Sequence, residues 1–225
     1  MLVALAGQFL AACGQNTPDL LDFALRSLNF QVSSKSPQWR QAPENGIPNM
    51  VCAGPQAVTT DCCSPPPPAQ PIDCQQYPVA CDPIDNFCAL TFDVETGVDV
   101  DLVADVADVA AVDGRVFAEV SLLELTTTVD GLAALPLREA SLFVGPKGLG
   151  SSSSPDARLL APVSLTTGTK SVVPDAQAQQ AFSRFARDYR APFSLLLSAH
   201  VVVPNGSSPA GSVTVGVAGR VRALY

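Results

Sequence analysis

Histidine is almost missing from this 225-residue chain: there is one, His200, beside one tryptophan and three tyrosines. A Ser–His–acid triad would have to use that single imidazole, and neither G-x-S-x-G nor H-E-x-x-H occurs. Paired carboxylates alone would suffice for a glycosidase, but so few large aromatics make a poor platform for sugars. Charged residues are scarce at 15%, against roughly 25% in ordinary soluble domains. A net charge of −8 argues against a nucleic-acid partner, which calls for a basic surface. No cysteine follows Cys88, and no lysine or arginine lies between Gln41 and Gly114, a stretch holding twelve acids. Gly145-Pro146-Lys147-Gly148-Leu149-Gly150-Ser151 lacks the G-K-[ST] ending of a phosphate loop and reads as a flexible connection.

Hydrophobic residues, at 47%, are enough for a packed core. Seven cysteines are present, and six of them (Cys52, Cys62, Cys63, Cys74, Cys81 and Cys88) fall in one short segment. That segment has no C-x2-C pair and no histidine, so the pattern favours disulfides over a metal centre. Cys62 and Cys63 are adjacent and are expected to take different partners, while the pairings themselves stay open. Residues 37–83 carry eleven prolines, including Pro65-Pro66-Pro67-Pro68. Proline has no N–H and a fixed φ, so neither a helix nor a central strand can run through. The four-proline run is expected to be a short polyproline II rod.

The seventh cysteine stands apart. Residues 1–12 are apolar, too short to span a bilayer, and match a signal peptide. They end in Leu10-Ala11-Ala12-Cys13, followed by the polar Gly14-Gln15-Asn16-Thr17. This resembles the lipobox of bacterial envelope lipoproteins. The resemblance implies cleavage before Cys13, a lipid anchor on its thiol and a location in the cell envelope. Gly14, in place of the aspartate of inner-membrane-retained members, points to the outer membrane.

The remainder reads as strands. Leu28, Phe30 and Val32 alternate with polar residues, giving a strand near 22–32. Leu90 to Leu102 alternates with Thr91, Asp93, Glu95, Asp99 and Asp101, the cleanest strand pattern in the chain. Strands are also expected at 116–129, with a β-bulge at Leu122-Leu123, and at 137–145, 158–166, 193–203 and 213–224. The last two, joined by a Pro/Gly/Ser turn, read as an antiparallel hairpin. One helix is expected over 175–189, capped by Asp175 and turning Ala178, Ala181, Phe182, Phe185 and Tyr189 to the core.

The expected architecture is therefore mainly β. It is an antiparallel β-sandwich of about seven strands with one helix, preceded by a disulfide-stapled Pro-rich irregular segment. The divisions are a signal peptide over 1–12, a lipid-anchored tether with a first strand over 13–36, a Cys/Pro-rich segment over 37–88 and a sandwich over 89–225. Asp93, Glu95, Asp99 and Asp101 are candidate Ca2+ ligands by density, although their spacing fails the EF-hand test. No other cofactor and no catalytic residue is expected. The favoured function is a lipid-anchored, non-catalytic binding or structural protein of the envelope, partnered by the membrane through Cys13 and by an unidentified protein or glycan. The alternatives are a surface ligand-binding or adhesion protein using a Ca2+-dependent acidic face, and an envelope hydrolase.

Overall fold

A computed structural model of the chain describes residues 19–41, 47–52, 62–65, 70–82, 84–112 and 116–225. The apolar run, Cys13 and Pro66-Pro67-Pro68 lie outside the described residues.

The chain folds as two antiparallel sheets packed face to face. One sheet has the order β1(Leu20–Ser33)–β9(Ser212–Leu224)–β4(Glu119–Asp130)–β7(Gly168–Val172). The other has the order β2(Val79–Cys81)–β3(Cys88–Val100)–β8(Phe193–Pro204)–β5(Leu137–Pro146)–β6(Arg158–Pro162). Alternation decides which side chains enter the gap, because successive residues of a strand face opposite ways. Phe23, Phe30, Val32, Leu122, Val213, Val215 and Val221 come in from the first sheet. Leu90, Val94, Leu142, Val144, Leu195, Leu197, Ala199 and Val201 come in from the second.

The sandwich is not confined to 89–225. β1 pairs with β9 from Leu20↔Leu224 to Ser33↔Ser212, and β2 pairs with β3, so the earlier segments supply strands to both sheets. Nor do the last two strands form a hairpin. β8 lies between β3 and β5, whereas β9 lies between β1 and β4. Each is an inner strand of its own sheet, and the connection over 205–211 crosses the layer gap. Period-two alternation sets a strand's faces but not its neighbours, and here burial at the middle of both sheets outweighs the local turn.

The bulge expected in β4 is present as a register shift between Leu122 and Glu124. It interrupts the ladder on an edge that β7 reaches only from Leu125 onward. The helix α3(Ala176–Ala186) covers the gap. The Gln179 amide accepts from the Leu122 N–H at 2.8 Å and donates to the Leu122 carbonyl. Gln179→Ala should therefore leave two main-chain groups unpaired in a half-buried setting, costing about 1–3 kcal/mol in urea unfolding. A loss within error of zero would mean that water takes the amide's place. Asp175 caps this helix as expected, accepting from the Ala178 N–H at 2.8 Å. Ala178, Ala181, Phe182 and Ala186 are buried beneath it, and Phe182 meets Phe193 edge to face at 5.8 Å.

Two one-turn helices follow β3, α1(Leu102–Asp105) and α2(Ala107–Ala110). Asp101 starts the first by accepting from the Val103 and Ala104 N–H groups, both at 3.1 Å. A cap of this kind ends the strand, so Leu102 is a helical core residue and not a continuation of the alternation.

All six clustered cysteines are paired, as Cys52–Cys81, Cys62–Cys88 and Cys63–Cys74. The adjacent cysteines do take different partners. The first two bridges cross in sequence, and the third lies inside both.

Candidate functional site

The outward face of the five-stranded sheet carries the chain's most varied polar chemistry. Strand register builds it row by row. Asp93 on β3, His200 on β8 and Glu139 on β5 stand side by side. Glu95, Ser198 and Ser141 form the next row, then Gly97, Leu196 and Phe143, then Asp99, Ser194 and Gly145. Directly opposed residues have Cβ atoms about 5 Å apart, so each row is a contact set.

Both ends of this face are covered. At the Phe193 end, the loop over 147–157 folds back across the sheet, and Leu149 lies on the two glycines of the third and fourth rows. A Cβ on Gly145 would stand 2.8 Å from Leu149 Cδ2, and one on Gly97 would stand 3.0 Å from the Leu149 carbonyl oxygen. The loop is pinned from below. The buried Ser194 hydroxyl donates to Asp99 Oδ1 at 2.5 Å and accepts from the N–H groups of Gly148 at 2.8 Å and Leu149 at 3.3 Å. Glu95 Oε1 accepts from the Ser152 N–H at 2.7 Å.

The Ser194 hydroxyl, and after it the Gly148 N–H at 3.0 Å, hold the Asp99 carboxyl below the ordinary carboxylate range. A depressed carboxylate contributes stability above its unfolded-state value and loses it as the pH falls through the folded-state value. Ser194→Ala should thus cost about 1 kcal/mol at neutral pH. The gap between variant and parent should narrow in acid, as read from urea midpoints; a gap constant with pH would refute the coupling.

At the opposite end the Cys-rich segment closes the face. Asp82 follows Cys81 of β2, and its carboxylate reaches across to Arg138 Nη2 at 2.9 Å. Arg138 also pairs with Asp85. Burial works against the guanidinium's charge, but the two carboxylates reverse that balance and raise its pKa.

Between these covers lies a groove of about 420 Å³ lined by Thr91, Asp93, Ser141, Phe143, Ser198 and His200, with Glu139 beside them. His200 Nδ1 is 2.8 Å from Asp93 Oδ1. Among the described residues, no serine or threonine hydroxyl hydrogen-bonds the imidazole. Hydroxyls, carboxylates, an imidazole and the Arg138 guanidinium at the groove's end together suit a polyhydroxylated ligand held by hydrogen bonds.

The four acids singled out for Ca2+ are not brought together. Asp93 turns to His200, Glu95 to Ser152, Asp99 to Ser194 and Gly148, and Asp101 to the start of α1. Among the described residues, the one trio of metal-capable side chains with ligand atoms within 4.8 Å is Cys52, Cys62 and Cys88. Those sulfurs belong to two disulfides. Sequence reasoning missed Glu139, Ser141 and Ser198 as neighbours of His200, and missed Arg138 altogether. The outward phase of each strand was readable, but which strands lie adjacent was not.

No protein-family model and no curated protein matches the chain. Solved structures with partial likeness include turnip yellow mosaic virus, at 11% identity and a TM-score of 0.29, covering 100% of this chain and 90% of that one. Israeli acute paralysis virus, as a heated full particle, gives 10% identity and 0.32, covering 100% and 84%. A carbohydrate-binding module of the β-sandwich superfamily gives 8% identity and 0.27, covering 89% and 55%. At TM-scores of this size, these likenesses carry no argument about function.

Proposed function

We infer that the chain is a lipid-anchored binding or structural protein of the bacterial cell envelope, tethered through Cys13 and without a catalytic centre of its own. The observation that carries this is the cysteine pairing. Cys52, Cys62, Cys63, Cys74, Cys81 and Cys88 consume one another, so the seventh thiol, Cys13, has none of them to pair with. Disulfides persist in oxidising compartments, so three bridges fit an exported chain, and the odd cysteine is left for another role. Leu10-Ala11-Ala12-Cys13 resembles the sequence that directs such a modification, and Gly14 favours the outer membrane. Three acyl chains would hold the protein stably, since two already suffice.

The groove around His200 is the surface such an anchor would present, and a glycan is the partner its chemistry fits. Labelled palmitate should be incorporated into the chain in bacterial cells, and Cys13→Ala should release the protein from the membrane fraction. Incorporation into the Cys13→Ala variant, or none into the parent, would defeat the reading. A second reading, an envelope hydrolase, draws support from the Asp93–His200 hydrogen bond. It predicts that His200→Ala abolishes any turnover found, and unchanged turnover would remove it.

A further inference from the structure

A second groove, of about 520 Å³, runs between α3 and β6, and its lining is basic. Arg158, Arg184 and Arg187 contribute three guanidiniums, and no acid lines it. In a chain of net charge −8 this is a local reversal of sign. Elsewhere Arg26, Arg138, Arg220 and Arg222 each pair with a carboxylate. None of the three groove arginines has a carboxylate within 4 Å among the described residues.

Two of the three are nevertheless held in place. Arg158 Nη1 donates to the carbonyls of Pro155 at 2.5 Å and Ala157 at 2.7 Å. Arg187 Nε donates to the Phe117 carbonyl at 3.1 Å. Neutral carbonyls orient a guanidinium without neutralising it, so its remaining N–H groups stay charged and available. Such forks match phosphate oxygens, and Gln180 and Ser183 add neutral donors beside them. Leu159, 51% exposed, gives the same groove an apolar lip.

Chain connectivity places this groove near the proposed anchor. Asp19 and Tyr225 exchange two main-chain hydrogen bonds at 3.1 Å, the Ala118 N–H donates to the Leu224 carbonyl at 2.7 Å, and the Phe117 N–H donates to the Arg187 carbonyl at 3.0 Å. Three such steps of about 5 Å and two Cα–Cα steps of about 3.8 Å set Arg187 at most about 23 Å from Asp19. The six peptide units from Cys13 to Asp19 reach at most about 20 Å.

The geometry points to the α3–β6 groove as a docking surface for the phosphate headgroups of anionic lipid in the membrane that carries the anchor. The choice of membrane over soluble phosphate rests on the Cys13 reading above; the basic groove does not.

Full-length protein carrying Cys13→Ser, and so no lipid, is sedimented with vesicles of phosphatidylcholine alone or mixed with phosphatidylglycerol. The apolar run of residues 1–12 is common to every variant, so differences between variants report the groove. Arg184→Gln should weaken partitioning onto phosphatidylglycerol vesicles about fivefold, and adding Arg158→Gln should bring the loss to about 25-fold. Arg184 is exposed and makes only a ring contact with Phe185, so its removal leaves the fold intact. Lys35→Gln removes the same charge beyond the far end of β1 and should change nothing. Equal weakening by Lys35→Gln, or no preference for phosphatidylglycerol, overturns the proposal. So does inorganic phosphate raising the melting temperature in an Arg184-dependent way while vesicles show no preference, an outcome that assigns the groove to a soluble phosphate. Absence of palmitate incorporation would remove the anchor while leaving this vesicle result to stand or fall alone.

Discussion

Replacing Arg138 with methionine should destabilise the protein by about 3–5 kcal/mol, because it strands a buried carboxylate. The Asp82 side chain is 4% exposed, and its two partners are Arg138 Nη2 at 2.9 Å and the Ile84 N–H at 3.0 Å. Methionine keeps the apolar stem of arginine and supplies no donor. One N–H cannot offset the desolvation of a full charge. Asp85, more than half exposed, loses only a surface pair and should matter little. The loss should fall mostly on the closure between the Cys-rich segment and β5. Asp82→Asn in the same background removes the stranded charge, so the double variant should recover most of the stability. Urea unfolding of both single variants and the double completes the cycle. A loss under about 1 kcal/mol for Arg138→Met would show that water reaches Asp82 and that the pair is a surface contact.

Much of the architecture was readable from the chain because one face of each long strand is buried and the other is wet. Asp93, Glu95 and Asp99 do alternate with buried Phe92 and Val94 and partly buried Val98, and the slip at Leu122-Leu123 is a real bulge. Local pattern failed where a short polar element was recruited by its neighbours. Gly168–Val172 is polar and half or fully exposed, yet it pairs with β4 from Leu125↔Val172 to Val129↔Gly168. Val79–Cys81 is three residues long and is a strand because Cys81 lies opposite Cys88 in the ladder while each is bridged elsewhere. The candidate site was legible only as separate residues. His200 and Asp93 are 107 residues apart, and nothing in either strand's sequence states that β3 and β8 are neighbours.

The charge asymmetry is met in part by ion pairs within the molecule. The stretch from Gln41 to Gly114 holds twelve acids and no lysine or arginine, so those of its acids that form ion pairs do so with residues outside it. Asp82 and Asp85 meet Arg138, and Asp105 meets Arg26 at 3.3 Å. An acid-only segment facing a mildly basic scaffold disfavours self-association of the segment and favours one register against the sheets. Arg158, Arg184 and Arg187 stand outside these pairs and converge on one groove, which is why it stands out against a net negative chain.

Removing the Cys62–Cys88 bridge by the double substitution Cys62→Ala, Cys88→Ala should cost about 3.5 kcal/mol by the loop-entropy relation for its 26-residue separation. The same relation gives about 2.8 kcal/mol for Cys63–Cys74, separated by 11 residues. Cys52–Cys81, at 29, should match the first. The segment has little else to hold it: prolines deny it regular hydrogen bonding, and its main apolar contributions to the core are Ile47, Cys52, Cys62 and Val79. Cys62 and Cys88 are themselves buried, so their loss removes packing as well as the cross-link. The damage should also be local. Trp39 packs edge to face on Phe92 at 5.2 Å and Gln38 Oε1 accepts from the Glu95 N–H at 2.6 Å, so residues 38–39 keep part of the β3 edge covered without the bridge. Hydrogen exchange should therefore speed up across β2 and the residues around Asp82 while β8 and β9 stay protected. Equal losses from all three bridges, or uniform exchange across both sheets, would show that the segment and the sandwich unfold as one unit and that loop entropy does not rank the bridges.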